Sequence, residues 1–179
     1  MKYSTQENIR VKNQLVDALF SLLKKQSLSS ITVTQLIKEA HVARGSYYRN
    51  FETMEDILEY YFGNITKDRK YHPQGNPLQN TSENFQAIVE SFELLYAQKE
   101  KLTLLLQNGQ SDYFDRMLTD LMIESGGNMP ARSPERYRLY IITGAMISVL
   151  SEWLLSGAHE TPEEIAKITT DYLKSGVLE

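Results

Sequence analysis

The chain has 179 residues, 41% hydrophobic and 23% charged, with no cysteine and a net charge of -4. That length can bury a core, while the missing cysteine excludes a disulfide framework and a thiolate zinc site, and the acidic balance excludes a protein that coats nucleic acid with its whole surface. The charge is uneven: residues 1–51 carry eight basic and three acidic side chains, a surplus of +5 that leaves -9 on the remainder, the asymmetry of a chain that meets a polyanion with one part only.

Helical periodicity runs through nearly every segment and sustained alternation through almost none, so the expected fold class is all-α. The opening MKYSTQENIRVKNQ has no apolar stretch behind its lysine, which predicts no secretory signal and a cytoplasmic protein. Ser4 or Thr5 caps a first helix to about Gln26, with Leu15, Ala18, Leu19, Leu22 and Leu23 in one stripe. After the polar SLSS, a short second helix starts at Thr32 or Thr34 and turns Leu36, Ile37 and Ala40 inward. A tight turn at His41, Val42 and Ala43 leads to a third helix, about Arg44 to Asn50, with Tyr47 and Phe51 inward and Arg44, Ser46, Tyr48 and Arg49 mainly outward.

Thr53 and Asp56 form a capping-box pattern for a fourth helix to around Arg69, followed by the Pro/Gly/Asn loop YHPQGNPLQN. Further helices are expected at about 81–97, 100–107 and 111–124, broken by QNGQS and ended by SGGNMP. Ser133 and Pro134 open a long helix to Leu155 that is apolar on more than one face. Its run from Leu139 to Leu150, broken by Thr143, Gly144 and Ser148, falls short of a membrane span. Thr161-Pro162-Glu163-Glu164 starts a last helix with Ile165, Ile168, Thr169 and Tyr172 in a stripe, closed by Lys174 and Gly176.

Two short helices joined by a tight turn, the second with polar groups outward, make a helix-turn-helix whose second helix enters the major groove of DNA. Arginine at the start of that helix can fork onto guanine N7 and O6 or onto phosphate. A tyrosine hydroxyl reaches a phosphate oxygen while its ring meets a thymine methyl or sugar. Gly45 lets the backbone approach the DNA closely. Tyr47 and Tyr48 lie about 100° apart around the helix, so they cannot share one interior: Tyr47 belongs to the core and Tyr48 to the DNA face. The expected DNA contacts are Thr34, Arg44, Gly45, Ser46, Tyr48, Arg49 and Asn50, over a core of Leu36, Ile37, Ala40, Val42, Tyr47 and Phe51.

The stretch ITVTQLIKEAHVARGSYYRNFETMEDIL, with the helix leading into it, resembles the DNA-binding region of TetR-type transcriptional regulators over most of residues 10–60. The shared elements are the Thr-Val opening, the Ala-x-Val turn, the Arg-Gly-Ser-aromatic-Tyr run, Phe51 and the acidic-apolar start of the next helix. SEWLLSGAHETPEEIAKITTDYL is similar to the end of the regulatory domain in a subgroup common in Gram-positive bacteria. The resemblance implies a three-helix DNA-binding domain at 1–51, a linking helix at about 54–69, and a helical-bundle effector and dimerisation domain across 52–179. It also implies a homodimer built from the last two helices, with Ile141, Ala145, Val149, Trp153, Ile165, Ile168 and Tyr172 in the interface, Trp153 serving there or in packing.

Three positions depart from the family pattern. His41 stands where glycine is usual, Ala43 where Ser or Thr would cap the recognition helix and contact phosphate, and Met54 where a lysine often reaches phosphate. Each loss turns attention to Lys2, Arg10 and Lys12 in the N-terminal arm. The expected function is a repressor released from a double-stranded DNA operator by an unknown small-molecule effector; the alternative is a co-regulator acting mainly through protein contacts of its C-terminal domain.

No enzyme and no cofactor is expected. His41, His72 and His159 lack metal-ligand spacing, His159-Glu160 with Glu163 reads as an ordinary helix start, and GGN at 126–128 is too isolated for a phosphate loop. No serine-nucleophile motif occurs. The aromatic residues of the body read as core, and periodicity assigns none of them to a ligand; no membrane association is expected.

Overall fold

The computed structural model describes residues 2–65, 67, 82–126 and 132–177; the expected loop at 71–80 with His72, residues 127 and 128 of GGN, and positions 68–70 lie outside the described residues. All regular structure among the described residues is helical. Helix α1, Lys2–Leu23, begins ahead of Ser4 and Thr5 and stops before Gln26, where Lys25 and Gln26 both donate backbone N–H to Leu22 O. Leu15, Ala18, Leu19, Leu22 and Leu23 are buried along it, as the stripe predicts. A 3-10 turn at Leu28–Ser30 then leads into α2, Val33–Glu39.

Thr32 is the cap of α2: its Oγ1 accepts from Gln35 N at 3.2 Å and Gln35 Oε1 accepts from Thr32 N at 2.9 Å. That reciprocal pair satisfies two otherwise orphaned donors. At the other end, Val42 N donates to Ile37 O and His41 N to Lys38 O, while His41 sits at φ 54. This is a Schellman closure, whose turning residue must be left-handed. The same bond pattern closes two later helices with glycine in that place, Gly109 at φ 71 and Gly157 at φ 106.

Helix α3, Arg44–Asn50, is followed by Phe51 in extended backbone. Helix α4 is described over Met54–Ile65; its expected end at Arg69 lies outside the described residues. Its start is capped on both sides: Asp56 N donates to Thr53 Oγ1 at 3.1 Å, and Asp56 Oδ2 accepts from Thr53 N at 2.9 Å and Glu52 N at 2.8 Å. Those backbone donors hold the Asp56 carboxyl below its usual range, Thr53 first.

The body comprises α5, Ser82–Ala97, α6, Lys99–Gln107, α7, Ser111–Gly126, α8, Pro134–Leu155, and α9, Pro162–Val177. Ser133 caps α8 by accepting from Arg136 N at 3.1 Å. Thr161 and Glu164 cap α9 as a box, Glu164 N donating to Thr161 Oγ1 and Thr161 N to Glu164 Oε2. Contrary to the expected stop at Lys174 and Gly176, α9 runs on to Val177.

Helix α1 packs against α2, α3, α4 and α6; α6 packs in turn on α8, α4 on α7, and α5 on α9. The buried apolar side chains form one connected cluster from Val11 to Ala166. Fully burying a leucine such as Leu15, Leu36 or Leu58 stabilises by about 1.5–3 kcal/mol. By length and composition alone α8 is apolar enough to cross a membrane. Its residues Leu139, Ile142, Thr143, Met146, Leu150, Trp153 and Leu154 are buried against α6, α7 and α9, the arrangement of a core helix.

Candidate nucleic-acid interface

Helix α3 is a small amphipathic element pinned by aromatic side chains. Tyr47 is fully buried and Phe51 is 5% exposed, with Leu36 and Ala40 buried and Ile37 and Val42 half-buried beneath them. Phe51 meets Tyr60 of α4 edge-on, ring centres 5.7 Å apart, which ties the end of α3 to the next helix. Burial pushes the Tyr47 phenol above its ordinary range, with the Tyr48, Asp56 and Glu55 charges adding smaller contributions; its hydroxyl finds no hydrogen-bond partner among the described residues.

On the opposite side Arg44, Gly45, Tyr48 and Arg49 are exposed, and Thr34 at the start of α2 is exposed too. The Arg44 guanidinium lies 5.6 Å from the Tyr48 ring centre, and its Nη2 donates to Tyr48 Oη at 3.3 Å. A Cβ built on Gly45 meets nothing within 4 Å. Packing within the chain therefore does not require glycine there.

Two of the expected contact residues have partners within α3. Asn50 is half-buried and commits an amide donor to Ser46 O at 2.8 Å, which secures the helix end. Ser46 is half-buried as well, its Oγ accepting from Arg49 Nη2 at 2.8 Å. The helix start has Ala43 as its cap, with no side-chain hydrogen bond, as the departure from Ser or Thr predicts.

In the N-terminal arm, Arg10 and Lys12 have partners within the chain. Arg10 Nε donates to Glu7 Oε2 at 3.0 Å and Arg10 Nη1 to Gln14 Oε1 at 3.1 Å. Lys12 Nζ lies over the Tyr60 and Phe51 rings, 4.9 and 5.5 Å from their centres. Both cations are engaged within the fold, Lys12 as a cation–π bridge between α1, α4 and the end of α3. The Lys2 side chain lies outside the described residues. Sequence periodicity gives no signal for Lys12, because the partner ring is 48 positions away in the chain.

The proposed interface residues of the last two helices divide into two groups. Ile141, Ile168 and Tyr172 are exposed, at 59%, 45% and 76%, and Ala145 and Val149 are half-buried. Trp153 and Ile165 are buried within the chain. Trp153 stacks on Tyr96 and meets Phe92 edge-on, and its Nε1 donates to Glu160 O at 3.3 Å. An all-apolar helix offers several equivalent faces, so the burial of Trp153 was fixed by α5 and the α8–α9 turn rather than by its own period.

Comparison with known proteins bears on these elements. A family model described as a transcriptional regulator C-terminal region, of the TetR class, matches residues 82–175, more than half of the chain. No curated protein matches it in sequence. Among solved structures, a TetR transcriptional regulator from Streptococcus agalactiae is similar over 96% of this chain and 98% of its own, with a TM-score of 0.59 and 19% identity. The fatty acid degradation regulator FadR from Bacillus halodurans is similar over 93% and 95%, with a TM-score of 0.57 and 18% identity. The dihydroxyacetone kinase operon activator DhaS is similar over 94% and 96%, with a TM-score of 0.56 and 12% identity. These likenesses extend across both the helix-turn-helix and the helical body, and with the family model they establish that the chain belongs to the TetR family of transcriptional regulators.

Proposed function

We propose that the protein is a cytoplasmic homodimeric repressor that places the α3 helices of its two copies in the major groove of a double-stranded operator and is released by a small-molecule effector bound in the body. Residues 1–51 act as the reading head, α4 as the link, and the remainder of 52–179 as the effector and dimerisation domain. The observation that carries this reading is the sidedness of α3: Arg44, Gly45 and Tyr48 exposed together, over Tyr47 and Phe51 locked in the core. Arginine and tyrosine on one short, rigid face supply the fork and the hydroxyl that guanine and phosphate accept.

A second copy covers the exposed Ile141, Ile168 and Tyr172 of α8 and α9, apolar surface that costs free energy when left in water. Effector binding that favours a dimer whose heads no longer match half-sites about 34–36 Å apart lowers operator affinity. A co-regulator acting mainly through protein contacts of the body is the second reading, favoured by the uncapped start of α3 at Ala43 and by Met54 in place of a basic residue.

A gel-shift titration on the promoter region of the protein's own gene separates the two. The repressor reading expects a retarded complex that Arg44→Ala and Tyr48→Phe each weaken without lowering the melting temperature. Binding left unchanged by both substitutions rejects the groove assignment, and no complex at all favours the co-regulator.

A further inference from the structure

Helix α6 grips the reading head at one end and α8 along its middle. Lys101 Nζ donates to Asp17 Oδ1 of α1 at 2.8 Å. The same ammonium lies 5.2 Å from the centre of the Phe20 ring and 5.6 Å from that of Tyr61. Those two rings, one from α1 and one from α4, are buried and meet edge-to-face at 4.8 Å. Gln98, the cap of α6, accepts the Tyr61 hydroxyl at 3.3 Å. Farther along α6, Thr103 Oγ1 donates to Leu154 O in the last turn of α8 at 3.3 Å, and Leu102 and Leu105 are buried.

The other ion pairs described, Glu7–Arg10 and Lys167–Asp171, join residues one turn apart on a single helix. Such pairs leave tertiary geometry untouched. The Lys101–Asp17 pair spans 84 positions and shares its cation with two aromatic faces from two helices. An exposed ion pair alone holds little. A cation seated on fixed rings and bonded to a carboxylate has one geometry in which all three contacts are made, and any rotation of α1 and α4 against α6 loses them together.

We propose that Lys101 is a positioning residue that sets the angle of the α1–α3 head on the body. The inference rests on the reading of α3 as the DNA-contacting helix, but its test uses neither DNA nor effector, so the two fail separately.

The chain has no cysteine, so Lys38→Cys and Glu163→Cys, both at exposed positions, place one spin label on the head and one on the body. With the labelled chain diluted in excess unlabelled protein, pulsed electron-spin distance measurements report the head-to-body distance within single chains. The expected result is one narrow distribution for the parent, at least a doubling of its width in Lys101→Met, and a return to the parent width in Lys101→Arg, which keeps the charge and the ring contacts. Should Lys101→Met fail to fold, Asp17→Asn replaces it, since the Asp17 carboxylate is largely exposed; it too should broaden the distribution. An unchanged width in the folded variant, or an Arg variant as broad as the Met one, overturns the proposal.

Discussion

Arg44 and Tyr48 stand one turn apart on the exposed side of α3 and hold each other, the guanidinium resting against the ring at 5.6 Å while its Nη2 donates to the phenol oxygen at 3.3 Å. Tyr48 thereby aims an arginine that retains further N–H donors for an incoming acceptor. If Arg44 meets a phosphate, Arg44→Ala reduces the slope of log affinity against log salt by about 1. If it meets a guanine instead, the variant loses about 1–3 kcal/mol of sequence discrimination with little change in slope. Fluorescence anisotropy across a salt series, with operator and scrambled DNA, separates the two outcomes.

Gly45 separates stability from binding. A methyl group there meets open space and replaces the poorest helix former short of proline with the best, so Gly45→Ala should raise stability by about 0.5–1 kcal/mol. Operator affinity should fall at least tenfold, because the methyl group stands between backbone and DNA. Urea denaturation and an anisotropy titration on the same sample check both halves, and an alanine variant that binds as well as its parent removes Gly45 from the interface.

The turn between α2 and α3 carries two correctable departures. His41 occupies the left-handed position that Gly109 and Gly157 fill at the ends of α6 and α8. His41→Gly relieves about 1–2 kcal/mol of left-handed strain and gives back about 0.5–1 kcal/mol through the more flexible unfolded chain, a net gain of about 0.5–1 kcal/mol. Ala43→Ser supplies the missing cap of α3, worth about 1 kcal/mol, and a hydroxyl for phosphate. Thermal melts should show both gains, and only the serine variant should also bind DNA more tightly.

The Tyr47 hydroxyl is buried without a partner among the described residues, and an unsatisfied buried polar group costs about 1–3 kcal/mol. Tyr47→Phe keeps the ring contact with Tyr48 at 5.0 Å and removes only that oxygen. The expected result is a protein more stable by about 1 kcal/mol with unchanged operator binding; a loss of stability on denaturant titration shows that the hydroxyl is hydrogen-bonded in solution.

Much of this arrangement is legible in the sequence because it is local. The Thr53–Asp56 and Thr161–Glu164 caps, the Ser133-Pro134 start and the inward Tyr47 beside an outward Tyr48 all depend on residues within a turn or two of each other. At His41 the sequence shows only a position where the resembled family has glycine; the left-handed backbone comes from the structure. What escaped depends on contacts between distant segments. Lys12 resting on Tyr60, Lys101 bonded to Asp17 and Trp153 stacked on Tyr96 have no periodic signature, because each is set by which helices the fold brings together.

The central claim is that two α3 helices read one operator through Arg44, Gly45 and Tyr48. Hydroxyl-radical footprinting of the protein's own promoter region tests it most directly. The account predicts paired protected segments on one face of the DNA, centred about one helical turn or a multiple apart, present with the parent protein and absent with an Arg44→Ala/Tyr48→Phe double variant of unchanged melting temperature. Protection that persists in the double variant, or a single unpaired protected segment, contradicts it.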